Sequence, residues 1–363
     1  MTQPRGSDRR LHSMKTTSRA VLLAVTALAL ASSVLPSGRA APASESRPTV
    51  LDVRGLDQGE PPAIAWAERK AGGTVIHGPD GTTTPVADNL VAFAPMGSGY
   101  VVQTGLERPT TVRWIGADGA PGRREWRTGH GLAVSARGKA VAFAGRQGRV
   151  WAIDSEGDRH LRFNRVPMDR TVRAAAVTGE SCKEGEGGSG SGCTIAVNGP
   201  HRTFYTTSHG IVDRVPRLRQ TTTGRGRWLG GITSFSDMGS CSAMLRSWRM
   251  KWRTCDNQLS DISPGNRHVL GTPAYADGFG PGALDILDLR DGSIVRAFTY
   301  ARNQHSATYF DEVWEDADHV LVVTYQDGKW AIVRLGVDGS MEYAVEPRKA
   351  SMDDAFPFRL QTR

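Results

Sequence analysis

Three observations predict an all-β fold for this chain of 363 residues. An apolar-rich strand that runs into Asp-Gly or a close relative recurs along the chain, as in TVIHGPDG, which ends at Gly81, and VRWIGADG, which ends at Gly119. No stretch between residues 50 and 346 has a convincing helical period of 3.6 residues. Glycine accounts for 42 residues, which suits a chain of short strands joined by tight turns.

The spacing of this repeat predicts how the strands are grouped. The copies end at Gly81, Gly119, Gly157, Gly210, Gly292 and Gly339, with a degenerate copy at Asn257. The steps of 35 to 53 residues are close to the roughly 40–50 residues of a four-stranded propeller blade. A blade cannot bury both faces alone, so the repeat predicts a closed ring, a β-propeller of seven four-stranded blades. Six or eight blades stay open, because the 53-residue step contains a Gly-rich insertion and the copy at Asn257 is degenerate.

Each blade can be assigned to a range of the sequence. The predicted blades span residues 50–87, 90–127, 131–166, 171–215, 228–258, 259–300 and 307–346. Blade 3 is the clearest, because GLAVSARGK, AVAFAGRQG, RVWAIDSEG and RHLRFNRV are four strands with Gly-containing turns. Residues 50–56 are either the innermost strand of blade 1 or an outer strand of blade 7. The tail at 347–363 contains the apolar AFPFRL and is a candidate closing strand.

Residues 1–43 have the three parts of a secretory signal. Basic residues precede an apolar stretch at 20–35, and Ala-Pro-Ala at 41–43 supplies a small-x-small cleavage site. The 16-residue apolar stretch is shorter than the roughly 20 residues of a membrane span. We therefore expect export to the cell envelope or beyond, with residues 44–49 as a flexible lead-in. An uncleaved anchor is the alternative, and it is the route to a membrane that the sequence offers.

The net charge argues against nucleic acid as a partner. The leader holds six of the 45 Lys and Arg residues and one of the 37 Asp and Glu residues. The remaining chain therefore has 39 basic against 36 acidic residues, a net charge of +3 compared with +8 for the whole sequence. A nucleic-acid-binding protein is expected to keep a strong basic excess.

Four cysteines remain after the leader, in two pairs that are close in sequence. Cys182 and Cys193 bracket a Gly-rich segment, and Cys241 and Cys255 bracket a hairpin-like stretch with its turn at 246–250. An exported chain favours disulfides, so we expect Cys182–Cys193 and Cys241–Cys255. Zinc is the weaker alternative, because the Cys-x-x-Cys spacing and a nearby His pair are both missing.

Two turns carry a resemblance to a known family. ISPGNRHVLG at 262–271 is similar to the Ser-Pro-Asp-Gly turn of TolB-type propellers, and VSARGKAVAF at 134–143 is a weaker version. The chain after the leader resembles the secreted WD40-like or TolB-like repeat proteins of actinobacteria. The resemblance implies a propeller that binds partners, and it identifies no catalytic residue. The chain departs from the family pattern because it has no Trp-Asp dipeptide.

Motifs for known chemistry are missing. The sequence has no Gly-x-Ser-x-Gly elbow and no Gly-x-x-x-x-Gly-Lys phosphate loop. Catalysis in a propeller channel would need converging carboxylates or histidines, and the candidate carboxylates are Asp237, Asp261, Asp277, Asp285, Asp311, Glu312, Glu315, Asp316 and Asp318. Most are expected at turns, where Asp is favoured for its local hydrogen bonds. The run 311–318, DEVWEDAD, is expected to be a solvated turn of blade 7, with calcium binding as the alternative. We predict no catalytic residue, no metal and no cofactor.

Arginines gather in one segment and predict a basic patch. The residues of this possible patch are Arg214, Arg217, Arg219, Arg225, Arg227 and Trp228. A second run at 249–253 alternates basic with apolar residues, as a strand with one basic face does. Such a surface suits anionic envelope polymers or lipid head groups. An ordinary loop between blades is the alternative interpretation of the same residues.

The sequence thus favours a binding or scaffold function over catalysis. We expect an exported, non-catalytic and monomeric propeller whose partner is a protein or an anionic cell-envelope polymer. Loops on a rigid ring suit the capture of partners. The alternative is a hydrolase or lyase with an unrecognised site in the central channel. The lining of that channel separates the two, because converging carboxylates and histidines favour catalysis and small apolar residues favour a scaffold.

Overall fold

A computed structural model describes residues 48–363, apart from 88, 106–108, 155–159, 169–170, 180–181, 183–191, 276–280, 300–306 and 353–355. The described strands form seven sheets, six of four strands and one of five. The helical content of this described part is a single 3-10 turn, Arg146–Gly148. The fold is an all-β propeller of seven four-stranded blades. The predicted architecture is therefore confirmed, and the counts of six and eight blades are wrong.

Each blade is a set of antiparallel neighbours, ordered from the innermost to the outermost strand. Blades 2 and 3 consist of β5 (Leu90–Met96), β6 (Gly99–Thr104), β7 (Thr110–Ile115) and β8 (Pro121–Thr128), then β9 (Ala133–Val134), β10 (Ala140–Ala144), β11 (Val150–Asp154) and β12 (His160–Arg162). Blades 4 and 5 consist of β13 (Arg173–Thr178), β14 (Thr194–Asn198), β15 (Thr203–Thr207) and β16 (Val212–Arg214), then β17 (Gln220–Arg225), β18 (Trp228–Ser236), β19 (Gly239–Arg246) and β20 (Arg249–Thr254).

Blades 6 and 7 follow the same plan. Their strands are β21 (Asn257–Ile262), β22 (His268–Pro273), β23 (Ala283–Asp288) and β24 (Ile294–Thr299), then β25 (Thr308–Trp314), β26 (His319–Gln326), β27 (Lys329–Gly336) and β28 (Met341–Lys349). Blade 1 combines β29 (Phe358–Leu360) with β2 (Trp66–Lys70), β3 (Gly73–His77) and β4 (Thr83–Val86). The C-terminal segment therefore supplies the innermost strand of blade 1 and lies beyond the predicted propeller limit of residue 346.

The N-terminal strand lies in neither of its two predicted places. Strand β1 (Thr49–Val50) pairs in parallel with β24 and adds a fifth strand to the outer edge of blade 6. The innermost place in blade 1 is already filled, because Leu360 of β29 pairs with Trp66 of β2. Thr49 belongs to a strand, although the sequence assigns it to the lead-in. The signal segment at 1–43 lies outside the described residues.

Blade 5 begins one strand earlier than the sequence predicts. The sequence assigns the segment before residue 228 to an inter-blade connection, but Gln220–Arg225 form β17, the innermost strand of the blade. Only Thr221 and Thr223 within this strand are fully buried, so it has no apolar run that would mark it. A strand whose edge faces the central channel can remain polar.

The core lies between the faces of neighbouring blades. All six positions of β6 and all five of β10 are buried, which explains why these strands lack polar alternation. Between blades 6 and 7, Leu270 and Ile286 pack in one cluster with Trp314 and Val322. Each fully buried side chain of this size contributes about 1.5–3 kcal/mol. These contacts fix the innermost strands around the channel.

The innermost strands all run in the same direction, so the ring has two distinct faces. On the start face, where these strands begin, lie the connections between blades and the turns between second and third strands. On the end face, where they finish, lie the turns between first and second strands and between third and fourth strands. Each loop of the ring therefore belongs to one face or the other.

Candidate functional site: the central channel and the start face

A cavity of about 210 Å³ lies where the innermost strands meet. Strands of blades 3 to 7 and residues 360–363 form its wall. A second cavity of about 440 Å³ opens between turns of the end face and shares Val134, Gln361, Thr362 and Arg363 with the first. Because they share these residues, the two cavities are adjacent, and we refer to them together as the channel.

Bulges in the innermost strands direct side chains toward this channel. Strands β13, β17, β21 and β25 each hold one extra residue relative to the second strand of their blade. A bulge interrupts the alternation of a strand and re-aims its side chains. In β21 the register shift falls between Leu259 and Ile262, and the two residues that it spans, Ser260 and Asp261, both line the cavity.

Three carboxyl groups converge on the cavity from blades 6 and 7. They belong to Asp261, Asp311 and Glu312. Asp261 Oδ2 accepts a hydrogen bond from the Trp314 backbone N–H at 3.1 Å, and Asp311 Oδ2 accepts one from the Leu360 N–H at 3.0 Å. Consecutive residues of a strand point to opposite sides, so Asp311 turns toward blade 1 and Glu312 toward blade 6.

Burial raises the pKa of all three groups. Burial first, and then the charge of Asp311, raise the pKa of Glu312 to about 8, so this side chain is mostly protonated at neutral pH. Ser260 lies near enough to lower the pKa of Glu312, but its hydroxyl is not in hydrogen-bonding geometry and has no partner. Burial also raises the pKa of Asp261, while the Trp314 N–H and the charges of Arg363 and Arg225 lower it.

Two arginines belong to the same channel. Arg225 lies at the end of β17, and its Nη2 donates a hydrogen bond to the Ala136 carbonyl at 2.5 Å. Arg363 lines both cavities, and its Nη1 is buried without a partner. Burial lowers the pKa of both guanidinium groups, and the charge of Asp261 acts against this effect. Among the described residues, no ion pair joins these arginines to the channel carboxylates.

The other predicted carboxylates lie away from the channel. Glu315 forms an ion pair with Arg334 at 2.5 Å and Asp318 one with Arg267 at 2.7 Å, and an Asp316 carboxylate oxygen lies 2.9 Å from His319 Nδ1. Asp285 accepts a hydrogen bond from Asn257 at 2.7 Å, and Asp237 is in an exposed turn. Asp277 lies outside the described residues. Three of the nine candidates therefore share one site.

The prediction of a solvated turn at 311–318 is wrong for its first half. Residues 311–314 belong to β25, whereas the turn consists of 315–318. The side chains of Asp311 and Glu312 face the channel from the innermost strand. Periodicity misses such a strand, because its polar residues line an internal cavity instead of a solvated face.

The predicted basic patch is not one surface. Arg214, Arg217 and Arg219 precede β17 at the start face, whereas Arg225 and Arg227 are at its other end. Five residues of strand, 220–224, lie between Arg219 and Arg225, which places the two groups roughly 20 Å apart. Trp228, the sixth predicted residue, is buried, with the Arg246 guanidinium 5.3 Å from the centre of its ring. The structure thus divides the cluster between both faces of the ring.

An apolar patch occupies the start face where blades 5 and 6 meet. We define it as Phe235, Met238 and Tyr275, whose exposed fractions are 49%, 86% and 58%. The Ser240 N–H donates to the Ala274 carbonyl at 3.2 Å, which joins the Met238 turn to the segment of Tyr275. Arg253 Nη2 donates to Ser234 Oγ at 3.3 Å and places a cation beside Phe235. Sequence reasoning missed this patch, because isolated apolar residues in turns give no periodic signal.

The cysteines are joined in two bonds that each lie within one blade. Cys182 is bonded to Cys193 in blade 4, and Cys241 to Cys255 in blade 5. The second bond closes the β19–β20 hairpin, whose turn contains Ser247 and Trp248 at positive φ. Closing loops of this size contributes on the order of 3 kcal/mol each in the chain-entropy model.

The described residues also bear on metals and membranes. Within the described ranges, no group of three His, Cys, Asp or Glu side chains has a geometry that could hold a metal ion. None of the helical segments in the described part of the chain has the length and apolar character to cross a bilayer.

Comparisons with known proteins find similarity in fold only. No family model and no curated protein matches the chain. Among solved structures, the β-propeller domain of Myceliophteria thermophila Cps50 (Swd1) is 11% identical, with 73% of this chain and 88% of that chain covered and a TM-score of 0.45. Kluyvelomyces marxianus Hsv2 is 15% identical, covering 73% and 83%, with a TM-score of 0.46.

A third similar structure is the C-terminal WD40 domain of Sif2. It is 13% identical, covers 70% of this chain and 71% of that chain, and has a TM-score of 0.44. Identities this low speak to fold alone. They report similarity to propeller domains and say nothing of what this chain binds or does.

Proposed function

We propose that the chain is an exported binding propeller that docks a protein partner on its start face. The observation that carries this proposal is the apolar patch of Phe235, Met238 and Tyr275. Large apolar side chains grouped at one surface mark interaction sites more often than scattered ones do. Met and aromatic residues are also enriched at the cores of interfaces.

The charges around the patch indicate the character of the partner. Arg217, Arg219 and Arg253 are exposed on the start face of blade 5, and Asp237 is the acidic residue within the patch turn. The Arg219 N–H donates to the Ile232 carbonyl at 2.8 Å, which holds that arginine beside the strand leading to Phe235. An acidic segment with apolar side chains complements such a surface. A purely anionic polymer would leave the apolar patch without a counterpart.

Export is part of the proposal and has its own support. The leader at 1–43 has the pattern of a secretory signal. Both cysteine pairs are bonded, which suits an oxidising compartment. The partner would therefore be met in the cell envelope or outside the cell.

Photocrosslinking tests the docking surface directly. A photoreactive amino acid is placed at Met238 of the start face or, as the matched control, at Ile294, which is 58% exposed at the end face of blade 6. We expect a discrete crosslinked partner from Met238 and none from Ile294. Adding Arg217→Ser and Arg219→Ser should weaken the adduct, as should salt, because exposed charges are screened over about 8–10 Å. Equal adducts at both positions, or none from Met238, would contradict the proposal.

A further inference from the structure

The channel holds partly buried charged side chains of both signs that form no ion pair with one another. Asp261 and Asp311 each accept a backbone N–H, and Arg225 donates to a backbone carbonyl. In the described part of the chain, no carboxylate of the channel forms an ion pair with either arginine. Buried charges are normally paired, because leaving them unpaired costs several kcal/mol. The structure therefore leaves complementary charges facing a shared cavity.

Two polar atoms in the cavity wall lack any partner. They are Ser260 Oγ, beside the carboxyl groups, and Arg363 Nη1, in the wall that both cavities share. Unsatisfied polar atoms are uncommon in native interiors and call for an explanation. Ser260 belongs to the acidic side of the smaller cavity, and Arg363 lies where that cavity adjoins the wider one, which Arg225 lines.

We propose that the channel binds a small zwitterion, an amino acid or a dipeptide. Its ammonium group lies at the side of Asp261, Asp311 and Glu312, and its carboxylate lies toward Arg225 and Arg363. This site is separate from the start face, so it goes beyond the proposed docking function. An ammonium group complements the side of the carboxyl groups and a carboxylate complements the side of the guanidinium groups, whereas a dication or a dianion meets like charge at one of the two sides.

The size and the opposite wall of the cavity fit this class of ligand. A volume of about 210 Å³ corresponds to roughly seven waters at about 30 Å³ each. An amino acid of about seven heavy atoms would replace them, and a dipeptide would extend into the adjoining cavity of about 440 Å³. The wall facing the carboxyl groups consists of small or apolar side chains, including Ala133, Val134, Ala175 and Ala176, which can pack against a carbon skeleton.

Ligand-observed NMR on the oxidised, exported protein tests the charge requirement without any mutation. The four probes are γ-aminobutyrate and L-alanyl-L-alanine, which are zwitterions, putrescine, a dication of similar length, and succinate, a dianion. We expect saturation transfer to the two zwitterions with affinity at least tenfold higher than for putrescine or succinate. Binding of putrescine or succinate as tightly as the zwitterions, or binding of none of the four, overturns the proposal.

Variants then assign the binding to the channel. Arg225→Gln and Asp261→Asn should each raise the Kd of the better zwitterion at least tenfold. The matched control is Arg227→Gln, which removes the same charge from an exposed residue of the same face and should leave Kd within twofold. Melting curves identify any variant that fails to fold. The comparison of the four probes uses the unmodified protein, so it does not depend on the variants. Zwitterion binding that survives both channel variants overturns the assignment.

Discussion

Residues 311–312 and residues 315–318 belong to one acidic run, yet the structure treats their charges in opposite ways. Glu315 is paired with Arg334 at 2.5 Å, and Arg334 also contacts Glu342. Asp311 and Glu312 face the channel without a cation bonded to them. Only three strand positions separate Glu312 from Glu315, so sequence composition cannot explain the difference.

The difference shows what a paired and an unpaired carboxylate each contribute to the protein. A buried carboxylate that is paired raises the pKa of its cation, as Glu315 does for Arg334, and makes the two residues interdependent. A buried carboxyl group without a bonded cation has a raised pKa, because burial disfavours its charged form, as it does for Glu312. Such a group remains available to a ligand. Paired charges in blade 7 thus serve stability, while the unpaired ones define a candidate site.

The largest expected loss of stability comes from removing Arg334, the cation that is paired with Glu315. Arg334→Met leaves Glu315, whose side chain is 2% exposed, without its cation. Removing one partner of a buried pair destabilises by about 3–5 kcal/mol, to be measured by urea unfolding at pH 7. The control is Arg267→Met, because the Arg267–Asp318 pair is exposed and should contribute less than about 1 kcal/mol. Similar losses in both variants would contradict the distinction between the two pairs.

Glu312, which has no bonded cation, should make the free energy of unfolding depend on pH. The pKa of Glu312 rises from an ordinary value of 4.5 to about 8 in the folded chain. The unfolded chain therefore releases this proton first, and the contribution of Glu312 to stability falls as pH rises from 4.5 toward 8. Glu312→Gln removes the cost of ionising this buried carboxyl group and should gain on the order of 5 kcal/mol of unfolding free energy over the unmodified chain at pH 9, with little difference at pH 4. A difference that does not change with pH would disprove the assignment.

Two variants of Asp261 separate the contribution of its charge to stability from that of its hydrogen bond. Asp261→Asn keeps an acceptor for the Trp314 N–H and should leave stability within about 1 kcal/mol. Asp261→Ala leaves that buried donor unpaired and should cost about 1–2 kcal/mol. Urea unfolding of both variants measures the contrast. An Asn variant as unstable as the Ala variant would show that the charge itself is needed for folding.

The repeat in the sequence is sufficient to predict the ring, because each copy carries its own strand and turn. Blade 3 lies within its predicted limits, since its first three strands are apolar and glycines in the sequence mark the turns between its strands. The predicted start of blade 5 is displaced because QTTTGR has no apolar run, although the alternating burial of Thr221 and Thr223 is the pattern of a strand. Strand β1 has two residues, too few for any period to be detected.

The channel site is only partly accessible to sequence reasoning. Asp261, Asp311 and Glu312 are among the nine candidate carboxylates, but nothing in the spacing separates them from Asp318 or Asp237. What separates them is their place on innermost strands beside a bulge, and a bulge is visible only in the pairing register. The prediction of a basic patch fails for a similar reason, because β17 divides arginines that are neighbours in sequence.

The smallest expected effect on stability concerns the start face. Met238 and Tyr275 are 86% and 58% exposed, so Met238→Ser and Tyr275→Ser should each change the free energy of unfolding by less than about 0.5 kcal/mol. If the patch is a docking surface, the same variants should weaken partner binding at least tenfold, because exposed apolar residues at an interface act when they are buried by the partner. Ile294→Ser, at the end face, should change neither quantity. Thermal unfolding measures stability, and the affinity for the partner identified by crosslinking is measured on variants that carry no photoreactive residue. A loss of stability without a loss of binding would assign the patch to the fold.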